Sequence, residues 1–223
     1  MSRSDPADPV EIRAADGRLP GRRGRATRER LLQCTADLLE KTSFRDLTVI
    51  DIARCAGTSP ATFYQYFADV EAAVLVLAGI MADEGKQLTA LIRSSDWRGR
   101  SGYTAAEGLV DGILGLWERH RAVLRVVDLS TAEGDLRFQN IRTHLLNEVT
   151  SELRDVIQAF KAQDRHGPEV DAMAQAAALV SMLVHVAAHR YGYEFWGIRT
   201  EDMRRSVAGL VYTGVTGRRP TSG

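Results

Sequence analysis

Only two cysteines, Cys34 and Cys55, occur among the 223 residues. That is too few for the disulfide framework of a small secreted domain, and no CxxC spacing offers a zinc site. Each falls within a predicted helix, so both are read as free structural thiols. Long hydrophobic runs are also missing. The longest weakly polar stretch, Met173–Ala188, falls short of the roughly 20 residues a bilayer needs and is interrupted by Gln175, Ser181 and His185, so no membrane partner is expected. The N-terminus lacks the apolar core of a secretory signal, which makes a cytoplasmic location the expectation. Neither sign of charge prevails overall, with 29 Lys+Arg against 29 Asp+Glu. Catalytic constellations are missing as well: there is no GxGxxG, no GxxxxGK[ST], no GxSxG and no HExxH. No enzyme and no cofactor are therefore expected.

What is present begins with a local charge asymmetry. Arg18, Arg22, Arg23, Arg25, Arg28 and Arg30 stand within residues 18–30 against the single acid Glu29. A basic arm of this kind is a candidate for phosphate contact. Residues 1–20 hold Pro6, Pro9, Gly17 and Pro20 among charges and read as a disordered tail.

From Thr27 the pattern turns helical, with Leu31, Leu32, Thr35, Leu38 and Leu39 on one face to about Lys41. Thr48 can cap a helix starting at Val49, with Asp51 near the positive end of its dipole. Ile50, Ile52 and Ala53 supply apolar surface, and Gly57 breaks the helix. Ser59 then caps another, with Pro60 at the first helical position, where its missing N–H is harmless. Helix, short glycine turn and helix together make a helix-turn-helix.

Beyond Asp69 the chain reads as helical throughout. One long helix carries Val70 to Ile92, another runs from about Thr104 to His120, and a shorter one covers Val123 to Val127. Phe138, Ile141, Leu145, Val149, Leu153, Val156 and Phe160 form the cleanest stripe. Gly167 and Pro168 end that segment and start the next, which runs to Phe195 and is apolar or small on nearly every face from Met173 to Ala188. A helix apolar all round must be covered on two sides, here by its own core and by a second copy of the chain. A last helix opens at Thr200 with Met203, Val207, Leu210 and Val211 as its stripe. Two helices per subunit then make a four-helix homodimer interface. The fold class is all-α.

The strongest signal is residues 48–67, TVIDIARCAGTSPATFYQYF. Its second helix presents Ser59, Ala61, Thr62, Tyr64, Gln65 and Tyr66: hydroxyls and an amide able to reach base edges, a methyl suited to thymine, and tyrosines suited to phosphates. Phe63 and Phe67, four apart, belong to the core. His185 and His189 share a helix face at i,i+4, but no third ligand is evident and no metal is expected.

The basic arm, the first helix with its leucine pair, this phrase and the all-helical remainder resemble the TetR family of bacterial transcriptional regulators, with a specific match over about residues 27–80. The resemblance implies residues 21–68 as a three-helix DNA-binding domain and residues 69–217 as a helical bundle for effector binding and dimerisation. It implies a homodimeric repressor whose heads enter successive major grooves of an inverted-repeat, double-stranded operator. Thr48 would hold a phosphate, Ala61, Thr62, Gln65 and their neighbours would face bases, and Tyr64 and Tyr66 the backbone. Where the family usually has a phosphate-binding lysine at the start of the fourth helix, this chain has Val70 between Asp69 and Glu71, and Arg22, Arg23, Arg25 and Arg28 are expected to compensate. Trp117, Phe138, Ile141, Leu145, Met182 and His185 are the expected effector lining, and their chemistry favours a hydrophobic small molecule. The competing reading is a small-molecule-binding or metal-dependent helical protein whose N-terminal unit is structural.

Overall fold

A computed structural model describes residues 21–163 and 171–218. Among them lie nine helices and no strand: α1 (Arg22–Leu39), α2 (Val49–Cys55), α3 (Pro60–Tyr64), α4 (Val70–Ser94), α5 (Gly99–Arg119), α6 (Arg121–Ala132), α7 (Leu136–Lys161), α8 (Ala172–Phe195) and α9 (Thr200–Thr216). The all-α expectation holds. The tail at residues 1–20 and the Gly167–Pro168 boundary lie outside the described residues. The chain forms two compact units that divide between Leu77 and Ala78, inside α4.

In the first unit, Leu31, Ile52, Ala53 and Phe63 are fully buried, and Leu32, Leu39 and Phe67 join them. Both expected caps form. The Thr48 hydroxyl accepts from the Asp51 N–H and the Ser59 hydroxyl from the Thr62 N–H, each at 3.2 Å. Gly57, between α2 and α3, has φ +65°, a left-handed conformation that a residue with a Cβ adopts only at a cost.

Two features of this unit differ from the sequence reading. Helix α1 starts at Arg22, five residues before the periodicity shows, so Arg22, Arg23, Arg25 and Arg28 sit in regular helix instead of on an arm. Arginine is a good helix former, and a first turn with no core beneath it has no apolar stripe to reveal it. The cysteines are also not free: Cys34 of α1 is disulfide-bonded to Cys55 of α2, with Cα atoms 5.8 Å apart. Twenty-one residues separate them in sequence, so their meeting depends on how the two helices pack.

In the second unit, α7 packs chiefly on α8 and α6, and α5 chiefly on α9 and α8. The α7 stripe buries Phe138, Leu145, Val149, Leu153 and Phe160, while Ile141 and Val156 are half-buried. Helix α5 begins at Gly99, ahead of the expected start near Thr104, with Gly102 inside it. A Cβ on Gly102 would collide with the carbonyl of Trp97. Trp97 is buried and its indole N–H donates to the Ile92 carbonyl at 3.1 Å, so the short link between α4 and α5 folds tightly back on the start of α5. Helix α6 is longer than expected at both ends. Helix α8 is long and apolar enough to span a bilayer by length and composition alone, and one of its faces packs on α5, α7 and α9.

Close approach at Gly102 and open space at Gly79, in α4, make opposite predictions. Gly102→Ala forces backbone to shift and is expected to destabilise the protein by about 1–3 kcal/mol. Gly79→Ala only removes unfolded-state freedom and is expected to stabilise it by about 0.5–1 kcal/mol. Thermal and urea unfolding of the two variants check the pair; equal effects of the same sign would contradict the packing described for Gly102.

Candidate functional site

Helix α3 is only five residues long, too short to hold itself, so its orientation comes from what it buries. Phe63 has no accessible surface, and its ring lies 5.4 Å from that of Phe67. With those two rings inward, the other face of the segment turns out: Ser59, Ala61, Tyr64 and Gln65 are exposed, and Thr62 and Tyr66 are half-buried. Gln65 is the C-cap of α3, and Tyr66 follows it in the turn. The Ser59 and Thr62 hydroxyls are 3.0 Å apart. An amide, two hydroxyls and a methyl on one small surface match the donor, acceptor and apolar features of base edges in a major groove.

Helix α1 of the same unit carries exposed positive charge. Arg22, Arg23 and Arg25 are exposed on the first turns of α1, which has no acidic residue in its first turn to offset the positive end of its dipole. Arg28 is placed differently. Its guanidinium lies over the Phe67 ring, 5.3 Å from the centroid, and burial lowers its pKa below the usual arginine value, with neighbouring Glu29 acting the other way. Thr48 is exposed, but its hydroxyl donates to the Asp51 carboxylate while accepting from the Asp51 N–H, so a phosphate contact from it requires that proton to be released. The Asp69 carboxylate, at the start of α4, is engaged by its own helix and accepts from the Ala72 N–H at 2.7 Å.

Two side chains here escape the sequence reading. Ile50, read with Ile52 and Ala53 as supplying apolar surface, is 57% exposed on α2 while the other two are buried. Ile50 and Ile52 are two residues apart and cannot share a helix face, so the spacing alone carried that signal. Arg54, also on α2, is largely exposed and lies 3.4 Å from Asp51.

In the second unit the expected effector residues divide. Trp117 on α5 and Phe138 and Leu145 on α7 are buried; Ile141 on α7 and Met182 on α8 are half-buried. His185 stands apart, exposed, and lines a pocket of about 380 Å³ with His189, Tyr191 and Trp196 near the end of α8. Its ring stacks on that of His189 with centroids 4.2 Å apart. No group of three or more His, Cys, Asp or Glu gathers as a metal site among the described residues. The sequence reading missed a polar pair inside this unit: His120, between α5 and α6, and Glu84 on α4 are hydrogen-bonded at 2.9 Å. That bond is the main reason the Glu84 carboxyl is held below its usual pKa, against the opposing effect of burial. No local signal links two residues 36 apart on different elements.

Residues 31–72 match the family described as bacterial regulatory proteins, tetR family, and residues 88–222 match the tetracyclin repressor-like C-terminal domain. Among curated proteins, none matches the sequence significantly. Solved structures share the fold at low identity. The fatty acid degradation regulator FadR from Bacillus halodurans is 14% identical with a TM-score of 0.63, over 90% of this chain and 97% of its own. FadR from Bacillus subtilis, solved in complex with stearoyl-CoA, is 14% identical with a TM-score of 0.64, over 83% of this chain and 98% of its own. The MbdR regulator from Azoarcus sp. CIB is 15% identical with a TM-score of 0.64, over 84% of this chain and 98% of its own. With its helix-turn-helix matched by one family domain and more than half its length by the other, the chain belongs to the TetR family of bacterial transcriptional regulators.

Proposed function

We propose that the protein is a cytoplasmic, homodimeric repressor that binds an inverted-repeat operator and releases it when a largely apolar small molecule enters the C-terminal unit. Residues 21–68 read DNA and residues 69–217 bind the effector and pair the subunits. The observation that carries the reading is the outward face of α3, with Ala61, Tyr64 and Gln65 exposed opposite the buried Phe63, together with the exposed arginines of α1. Thr62 and Gln65 read base edges with Ser59 and Ala61 beside them. Thr48, Tyr64, Tyr66, Arg22, Arg23, Arg25 and Arg28 serve the phosphates.

Base and phosphate contacts have separable signatures. Gln65→Ala is expected to lose about 1–3 kcal/mol of discrimination at one base pair and to reorder operator variants. Arg23→Ala is expected to weaken binding to all duplexes and to reduce the salt slope by about 1. Selection of random duplex DNA, followed by mobility shifts across a salt series, measures both; an unchanged operator ranking for Gln65→Ala removes that residue from base readout.

The dimer reading rests on α8. Ala174, Ala178, Ser181, His185, Ala188 and Gly192 follow one another at helical spacing, and all are exposed. On α9, Leu210 is 56% exposed. A second copy covering these faces produces the four-helix interface. Ser181→Arg is then expected to yield a folded monomer by analytical ultracentrifugation and to lose operator affinity; a persistent dimer would place the interface elsewhere.

For the effector, Trp117, Phe138, Ile141, Leu145 and Met182 favour an apolar group, while His185 belongs to the exposed α8 face given to the dimer. A structural neighbour solved with stearoyl-CoA supports a long acyl chain as the class to try first. Turning a 99:1 population round requires the ligand to prefer the DNA-incompetent state by about 5.5 kcal/mol, which calls for an enclosed site. Titration of the operator complex with long-chain acyl thioesters is expected to release DNA, and Ile141→Arg to abolish the release without changing operator affinity. Retention of DNA at saturating thioester would rule this class out.

A further inference from the structure

The two cysteines of the chain meet inside the DNA-reading head, and they meet asymmetrically. Cys34 is packed into the α1 side of the core, 6% exposed, whereas Cys55, the last residue of α2, is exposed. Their Cα separation of 5.8 Å is an ordinary disulfide spacing. A groove of about 440 Å³ opens beside Cys55, lined by Leu38, Thr42, Leu47, Asp51 and Arg54. Cys55 lines this groove and is exposed, whereas Cys34 is buried.

We infer that Cys34–Cys55 is a thiol–disulfide exchange site for low-molecular-weight thiols, opened by attack at Cys55, and that the bonded form is the one that holds the head in its DNA-reading arrangement. The second half of this inference rests on the function proposed above. In the first step a thiolate bonds to the Cys55 sulfur and the Cys34 sulfur leaves as a thiolate, which takes a proton from water. A second thiol then displaces Cys55 as its thiolate, so two thiols are oxidised to one disulfide and the protein bond is reduced by two electrons. The return path takes a hydroperoxide. Cys55 is oxidised to its sulfenic acid with release of an alcohol, and Cys34 condenses with it, expelling water.

Opening the bond acts beside the turn between α2 and α3. Cys55 lies two residues before Gly57, whose left-handed backbone turns the chain into α3. Cys34 is enclosed by close-packed neighbours and Cys55 is exposed, so the freedom gained when the bond opens falls on Cys55 and on the turn attached to it. Disulfides in a thiol-reducing compartment are transient and redox-sensing, so the bonded, DNA-reading form accumulates when hydroperoxide outpaces reduction, and operator binding then depends on thiol state as well as on effector.

The test uses the full chain, oxidised or treated with dithiothreitol, with free thiols counted by alkylation and mass spectrometry, and with glutathione disulfide as the exchange probe. The oxidised chain is expected to show no free thiol and the reduced chain two. Cys34→Ser, which leaves Cys55, is expected to form the glutathione adduct at least about tenfold faster than Cys55→Ser, which leaves Cys34. The oxidised protein is expected to bind its selected operator at least about tenfold more tightly than the reduced protein, and both serine variants to bind like the reduced form whether or not dithiothreitol is present. Two free thiols after oxidation, or equal adduct rates for the two variants, would overturn the exchange site. Equal operator affinity of the oxidised and reduced wild-type chains would overturn its coupling to DNA and does not depend on how the variants fold. Exchange at Cys55 in a protein that binds no duplex in either state would uphold the site and count against the repressor reading instead.

Discussion

The burial of Phe63 is the constraint on which the candidate DNA-reading surface depends. Helix α3 has too few residues to be stable by its own hydrogen bonds, so a fully enclosed aromatic ring, with Phe67 beside it, decides which of its faces turns outward. Everything proposed for base recognition follows from that choice. Ala61, Tyr64 and Gln65 are available because Phe63 is not, and the caps at Thr48 and Ser59 set where the two helices around the turn begin. The disulfide acts on the same small assembly, tying the end of α2 to α1 next to the left-handed Gly57.

The second unit is organised by a different principle, close approach through small residues. Gly85 of α4 stands against Leu145 of α7, Gly112 of α5 against Leu88 of α4, and Gly214 of α9 against Leu179 of α8. Each glycine leaves room for a leucine from a neighbouring helix, so the helices mesh as large against small. Ion pairs across the outside, such as Arg204 with Asp111 and Arg142 with Asp128, are exposed and contribute little beside that packing. The Glu84–His120 hydrogen bond is a polar contact between α4 and the α5–α6 junction, and a carboxylate so paired is costly to orphan.

Much of this was legible in the residues. Periodicity located α1, α4 to α7 and α9, the lack of a polar face located α8, and the capping pairs Thr48/Asp51 and Ser59/Pro60 set the starts of α2 and α3 to the residue. Periodicity is silent wherever a helix has no one-sided core. The first turn of α1 carries arginines over no apolar stripe, the start of α5 was hidden by Gly99 and Gly102, of which Gly102 serves packing, and α6 extends beyond its short apolar run. For the candidate sites, the residue types of α3 were readable because a helix-turn-helix is local. The Arg28–Phe67 stacking and the Glu84–His120 pair were not, because each joins residues brought together only by folding.

The sequence alone determined the all-α class, the helix-turn-helix and its caps, since these depend on interactions within a few residues, where identity and spacing are the whole cause. Tertiary structure decided the fate of the cysteines, the exposure of Ile50 and the separation of His185 from the buried aromatic and aliphatic residues of the second unit. Those outcomes depend on how one helix is turned against another. That rotation is set by the summed packing of many side chains far apart in sequence, and no window along the chain contains it.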